Sequence, residues 1–222
     1  MDDISRHSHI ETPMRDFFAR ARERLVLDVP AALHDPAAPG VRGDLDLDPA
    51  VWERAGVAAT RPAAVLVPVI DRPEPAVLLT QRTSDLPSHP GQIAFPGGKI
   101  DADDDDPRAA ALREAEEEIG LDPRLVEPLG YLDLYLTFSG FRVLPMVARI
   151  APGYALALNR SEVADAFEVP LSFLMEPGNH QFLTRDWKGI ERAYYAMPYG
   201  ERYIWGVTAG ILRNMYERIY QQ

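Results

Sequence analysis

The sequence predicts an α/β protein. Three features point that way: Val-, Ile- and Leu-rich runs of strand length, a carboxylate-rich helix set among them, and an amphipathic helix near the C-terminus. In chain order, Asp16 to Leu27 reads as a short amphipathic helix, with Phe17, Phe18, Ala21 and Leu25 at near-helical spacing. Pro30 to Pro49, rich in Pro, Asp, Gly and Ala, reads as a loop or covering strap. Ala63 to Ile70 and Ala76 to Gln81 are apolar runs separated by a Pro-containing turn at Arg72 to Pro75, the pattern of a hairpin or of adjacent strands. Gly130 to Thr137 alternates Tyr131, Asp133 and Tyr135 with Leu132, Leu134 and Leu136, and Arg142 to Ile150 is a further apolar strand. Val207 to Tyr220 closes the chain as a helix whose buried stripe is Ile211, Leu212, Met215 and Ile219. The natural division is an N-terminal helix and loop extension, residues 1–60, packing on one domain, residues 61–222.

Composition narrows the function classes. At 222 residues and 46% apolar content the chain buries one sizeable core. A formal charge of -11 disfavours a nucleic-acid partner, whose phosphates attract basic surfaces, so an anionic small molecule has to be held through metal and local arginines. With no cysteine, thiolate metal sites and cysteine nucleophiles are excluded. The start, MDDISRHSHIE, has neither the basic nor the apolar region of a signal peptide, and no apolar run approaches the ~20 residues of a membrane helix. The expectation is a cytoplasmic protein with no membrane partner; a homodimer is left open.

Chemistry concentrates between Phe95 and Leu121. Glu114, Glu117 and Glu118 fall at i, i+3 and i+4, on one side of one helical turn, with Leu112, Ala115 and Ile119 roughly opposite. Unpartnered, such like charges cost about 0.2 to 0.5 kcal/mol per pair. A hard divalent cation reverses the sign, since Mg2+ and Mn2+ take oxygen ligands. Taken alone, EAEEE equally describes a solvated acidic face. Ahead of it, Asp103 to Asp106 reads as a solvated turn into the helix, with Asp106 as N-cap and Pro107 at the first helical position, or as an extra metal site. Gly97 and Gly98 form a turn whose bare backbone lets a ligand approach closely.

These residues carry a resemblance. From Arg113 to Leu121 the chain is similar in register to the Nudix hydrolase signature, G-x5-E-x7-R-E-U-x-E-E-x-G-U with U aliphatic. Between Gly98 and Arg113 it has one residue more than the signature, and Asp104 or Asp105 stands where the first Glu is expected. Leu78-Leu79-Thr80-Gln81-Arg82, followed by Thr83, Gly91 and Phe95-Pro96-Gly97-Gly98, resembles the LLT-x-R-S/T-x3-R-x3-G-x3-FPGG pattern of the coenzyme A pyrophosphatase branch, with Pro87 at the second Arg position. Tyr203 to Gly210 is also similar to the end of that branch.

The resemblance implies a Nudix-type α/β/α sandwich with a mixed central sheet, and hydrolysis of coenzyme A to adenosine 3',5'-bisphosphate and 4'-phosphopantetheine. ADP-ribose or NADH hydrolysis would use the same helix, and a non-catalytic nucleotide sensor would use the same fold. The implied metal ligands are Glu114, Glu117 and Glu118, holding Mg2+ or Mn2+. Arg113, otherwise a surface partner of Glu117, is implied to orient a catalytic Glu such as Glu117. Arg82, Gly97, Gly98 and Lys99 are implied substrate contacts, although Arg82 also reads as an edge charge. A later-loop base falls on Glu162, with Glu168 as fallback in the strand-like Ala166 to Val169, and either also reads as a surface ion-pair residue. His89 reads as a loop polar residue.

Overall fold

The computed structural model describes residues 16–35, 38, 41–47, 49–50, 53, 60–187 and 189–221. The rest of the predicted 1–60 extension lies outside the described residues. Helix α1 is Phe17–Arg24, one turn shorter than expected, because Leu25 turns extended to cap it and Val26 bridges to Tyr131. The predicted strap contains more order than its composition suggests: β1 (Val41–Gly43) and the short helix α2 (Asp44–Leu47) lie within it.

Strands β2 (Arg61–Ile70) and β3 (Ala76–Arg82) pair antiparallel as predicted, but only at Val69↔Val77 and Ile70↔Ala76, beside the turn. Beyond it they part and take other partners. β4 (Ile93–Ala94) joins β3, and β5 (Gly97–Lys99) joins β2. Helix α3 (Pro107–Ile119) follows.

The predicted single strand from Gly130 to Thr137 is two strands. β6 (Val126–Tyr131) and β7 (Leu134–Leu136) pair with different stretches of β8 (Phe141–Ile150), and Leu132 and Asp133 make the break. The expected Tyr/Leu alternation fails with it: Tyr131, Leu132, Leu134, Tyr135 and Leu136 are all buried. After β9 (Val163–Pro170) and the short helix α4 (Leu171–Leu174), three strands form a separate antiparallel sheet, β10 (Gln181–Trp187), β11 (Ile190–Tyr199) and β12 (Arg202–Trp205). Helix α5 (Val207–Tyr220) ends the described chain.

The main sheet runs β1-β7-β8-β2-β3-β4, with β5 on β2, β6 on β8 and β9 on β3. It is mixed: β2–β8 and β1–β7 are parallel, the other pairings antiparallel. Period-2 alternation assigns each side of the sheet to one helical layer. Ala64, Leu66, Leu78, Leu144 and Met146 pack with Ala110, Ala111, Ala115 and Ile119 of α3. Val67, Val69, Val77, Leu79, Val143 and Val147 pack with Phe17 and Ala21 of α1 and with Ile211, Leu212, Met215 and Ile219 of α5. This is the predicted α/β/α sandwich, and the α5 stripe is the predicted one. On α3 the buried stripe is displaced from expectation, with Leu112 only half-buried and Ala111 inside instead.

Helix α3 begins as its sequence specifies. Asp106 is extended, its Oδ1 accepts from Ala109 N at 2.8 Å, and Pro107 occupies the first turn. Asp106→Ala should lower the unfolding free energy by about 1 kcal/mol in denaturant titration, with Asp106→Ser retaining most of it.

Candidate functional site

The acidic face of α3 meets the backbone of β5, and that contact builds the site. Gly97 has φ 150°, and a Cβ there would stand 2.5 Å from Ala64 O. Only glycine lets β5 lie this close on β2. At Gly98 a Cβ would fall 2.5 Å from Glu114 Oε1, so this glycine makes room for a carboxylate.

The three glutamates lie on one turn as expected but do not share one environment. Glu118 is 5% exposed, and its Oε2 accepts from Gly97 N at 3.3 Å. Glu114 is half-buried across Gly98, whereas the Glu117 side chain is 58% exposed. Among the described residues, no three acidic or histidine side chains stand close enough to ligate a cation as they lie. Existing partners account for this: Arg113 Nη1 holds Glu114 Oε1 at 3.1 Å and Glu117 Oε2 at 3.2 Å, while Gly97 holds Glu118.

Arg113 is itself fixed. Its Nε and Nη2 donate to the two oxygens of Asp104, each at 3.0 Å, and Nη2 also reaches Lys99 O at 3.3 Å. The Asp104 side chain is only 5% exposed, and the guanidinium holds its carboxyl below the usual carboxylate range. Asp104, chiefly, makes Arg113 hold its proton more tightly. Of the two aspartates standing where the signature has its first Glu, Asp104 is therefore the one that grips the arginine; nothing in the acidic run distinguishes it by sequence. Asp106 is spent on the cap.

Glu162 is brought to the same place by the end of α3. Ala157 N donates to Ile119 O at 2.8 Å and Asn159 N to Glu118 O at 2.9 Å, hanging the loop on the helix terminus. Asn159 Nδ2 then donates to Glu162 Oε1 at 3.1 Å. Glu168 lies elsewhere, engaged by Arg72 and by Tyr154 Oη. His89 is exposed in the loop after β3 and contacts Gln92, and Pro87 is exposed in the same loop. Lys99 ends β5 with an exposed side chain.

Electrostatics tie the carboxylates together. Burial, helped by Glu114 and Glu162, pushes the Glu118 carboxyl up to about 7, against the opposing Gly97 N–H and Arg82. Burial likewise raises Glu114, with Glu117 and Glu162 adding to it and Arg113 opposing. The site therefore holds excess negative charge. Arg82, at the end of β3, lies close enough to Glu118 to act on it, yet its buried Nε has no hydrogen-bond partner. The carboxylate-only donor set fits a hard divalent cation such as Mg2+ or Mn2+. Arg113 occupies one oxygen each of Glu114 and Glu117, and Gly97 one oxygen of Glu118.

The NUDIX domain matches residues 60–188. Over 155 residues, 70% of this chain and 81% of the relative, the chain is 41% identical to the Nudix hydrolase NudL of Escherichia coli K12, itself described as uncharacterized. It is 42% identical, with the same coverage, to NudL of Cronobacter sakazakii. Among solved structures, a Caenorhabditis elegans Ap4A hydrolase binary complex is 23% identical, with TM-score 0.41, over 49% of this chain and 80% of that one. No helix among the described residues is long and apolar enough to cross a membrane.

The two glycines should respond differently to substitution. Gly98→Ala is expected to displace the flexible end of Glu114 and abolish turnover with little change in melting temperature. Gly97→Ala, which meets rigid backbone, should destabilise the fold itself; thermal melts beside activity assays check both. Asp104 gives a pH signature. Its folded-state value lies below the ordinary 3.8, so its contribution to stability is present above that value and is lost as pH falls through the folded one. The stability difference between parent and Asp104→Asn should be open at neutral pH and close in acid, as read by denaturant titration.

Proposed function

This chain belongs to the Nudix hydrolase family, and from that premise we propose that it cleaves the pyrophosphate bond of coenzyme A or its derivatives, giving adenosine 3',5'-bisphosphate and 4'-phosphopantetheine. Membership carries the coarser activity with it: the chain is a pyrophosphohydrolase of nucleotide substrates, in a family whose members generally use divalent metal ions. The observation that supports placing the chemistry here is the group of mutually repelling carboxylates Glu114, Glu118 and Glu162 beside the unpartnered Nε of Arg82.

Glu114, Glu117 and Glu118 would hold Mg2+ or Mn2+, which when bound neutralises phosphate charge and activates water. Arg113 positions Glu114 and Glu117 through its Nη1 and is kept in place by Asp104. Arg82, Lys99 and the Gly97-Gly98 backbone bind and orient the diphosphate, so that the attacking oxygen lies in line with the leaving group. Glu162, on its loop beside Glu118, takes the proton from water as general base.

Substrate choice rests on the resemblance of Leu78 to Gly98 to the coenzyme A pyrophosphatase branch. A second reading, hydrolysis of ADP-ribose or NADH, is favoured by Pro87, which removes an arginine from that pattern. A nucleotide sensor has no need to keep all three glutamates, so catalysis is the better account. We take residues 61–222 as the catalytic unit, residues 1–60 as its cover, and the cytoplasm as its compartment.

With Mg2+ or Mn2+, the protein should turn over coenzyme A faster than ADP-ribose or NADH offered in parallel; the reverse order would replace coenzyme A as the substrate. Chelation by EDTA should abolish turnover. Glu117→Gln and Glu118→Gln should each lower kcat on the order of 100-fold or more while nucleotide binding persists. Parental turnover by a folded Glu117→Gln variant would remove that residue from the ligand set.

A further inference from the structure

We infer that Arg202, on β12 of the small sheet, is the positioning residue that sets where Arg82 points. The inference rests on the functional reading of Arg82 above. Arg202 lies on the far side of the main sheet from the glutamates. Its Nη1 donates to Gln81 Oε1, its Nη2 to Asp165 Oδ2 at 2.5 Å, and its guanidinium lies 4.3 Å over the Phe167 ring.

Gln81 and Asp165 are cross-strand partners, so a single guanidinium staples one rung of the β3–β9 ladder. The next rung is irregular. Gln81 pairs with Asp165 but Arg82 pairs with Val163, which leaves Ala164 as an extra residue in β9. Arg160 Nη1 holds the Ala164 carbonyl at 2.6 Å. A bulge of this kind bends its strand and re-aims the neighbouring side chain.

Successive side chains on a strand point to opposite faces. Leu78 faces the α3 layer and Leu79 the α5 layer; continuing the alternation puts Arg82 with the glutamates and Gln81 with Arg202. Gln81 is held at both ends of its amide, by Arg202 at Oε1 and through Nε2 to Gly91 O at 3.4 Å. Pinning Gln81 from behind, directly before the bulge, removes the freedom with which Arg82 would otherwise swing toward the acidic residues facing it. Bidentate geometry is what this needs, and lysine does not supply it. Arg202 touches no reacting group, and its effect passes through Arg82.

A double-mutant cycle with Mg2+ and coenzyme A tests this. Arg82→Ala and Arg202→Ala should each raise KM about 10-fold with a smaller effect on kcat, and the double variant should match Arg82→Ala within about 2-fold. Multiplying effects in the double variant would overturn the inference. Arg202→Lys should restore the melting temperature while KM stays raised; recovery of both would reduce Arg202 to a stabilising charge. Should Arg202→Ala not fold, Gln81→Met cuts the same staple and enters the same cycle. The Arg82 Nε–Hε resonance, assigned by its loss in Arg82→Ala, reports position without activity. It should move in Arg202→Ala, and an unmoved resonance refutes the inference even if the substrate is another nucleotide. An Arg82→Ala variant with parental kinetics would instead refute the role given to Arg82 itself.

Discussion

The close approach of β5 to helix α3 is the constraint on which the rest of the site depends. Because Gly97 carries no Cβ, β5 lies directly on β2, and its N–H reaches the carboxylate of Glu118 on the helix. That one hydrogen bond partly offsets the burial of a charged group which has Glu114 and Glu162 for neighbours. A buried anion with a single neutral donor is poorly satisfied. The fold therefore concentrates poorly compensated carboxylates at the place where the helix, the glycine turn and the Glu162 loop meet, which is the feature the proposed cation would relieve.

Arg113 offsets part of the same negative charge. Glu117 and Glu162 both raise Glu114, and Arg113 opposes them there. The Asp104 carboxylate anchors two of the Arg113 nitrogens, and the remaining Nη1 bridges the two glutamates from one side. Arginine suits this because its donors form a rigid fork; a lysine has no fork to divide between an anchor and two clients. Asp104 is therefore tied to the glutamates through Arg113.

Much of this was legible in the sequence, for reasons specific to each element. The α5 stripe and the cap of α3 are local patterns, set by residues within a turn of one another, and both appear as read. The glutamates share a turn because helical spacing dictates it. Their unequal burial was not legible, since it depends on where β5 and the Asn159 loop lie, which no local pattern records. Gly130 to Thr137 misled for a related reason: period-2 alternation signals a strand with one wet face, and here both faces are covered. Ala111 takes the interior place beside Ala110, Ala115 and Ile119, while Leu112 packs half-buried at the margin of the same core, an offset of one residue in helix rotation that the sequence pattern does not specify. Asp104 and Arg202 act across 9 and 37 residues of chain, to Arg113 and Asp165, and neither distance leaves a motif.

The architecture gives the glutamates and the Arg82 end of β3 different supports. Helix α3 and its glutamates lie over the centre of the sheet, where β2 and β8 pair in parallel along their whole length, so small sequence changes have little scope to move them. The Arg82 end of β3 is backed instead by the two-residue strand β4 and by β9. It sits where β2 and β3 have parted, at an irregular rung of β9, and its Gln81 is held by Arg202 of the small sheet and by Gly91 of the loop that also contains Pro87. Arg82 is nonetheless the link between the two places, because it acts on Glu118 from this edge. On the function proposed above, Pro87 bears on which nucleotide is gripped at this edge, while Glu114 and Glu118 are held separately, by Arg113 and by the Gly97 N–H.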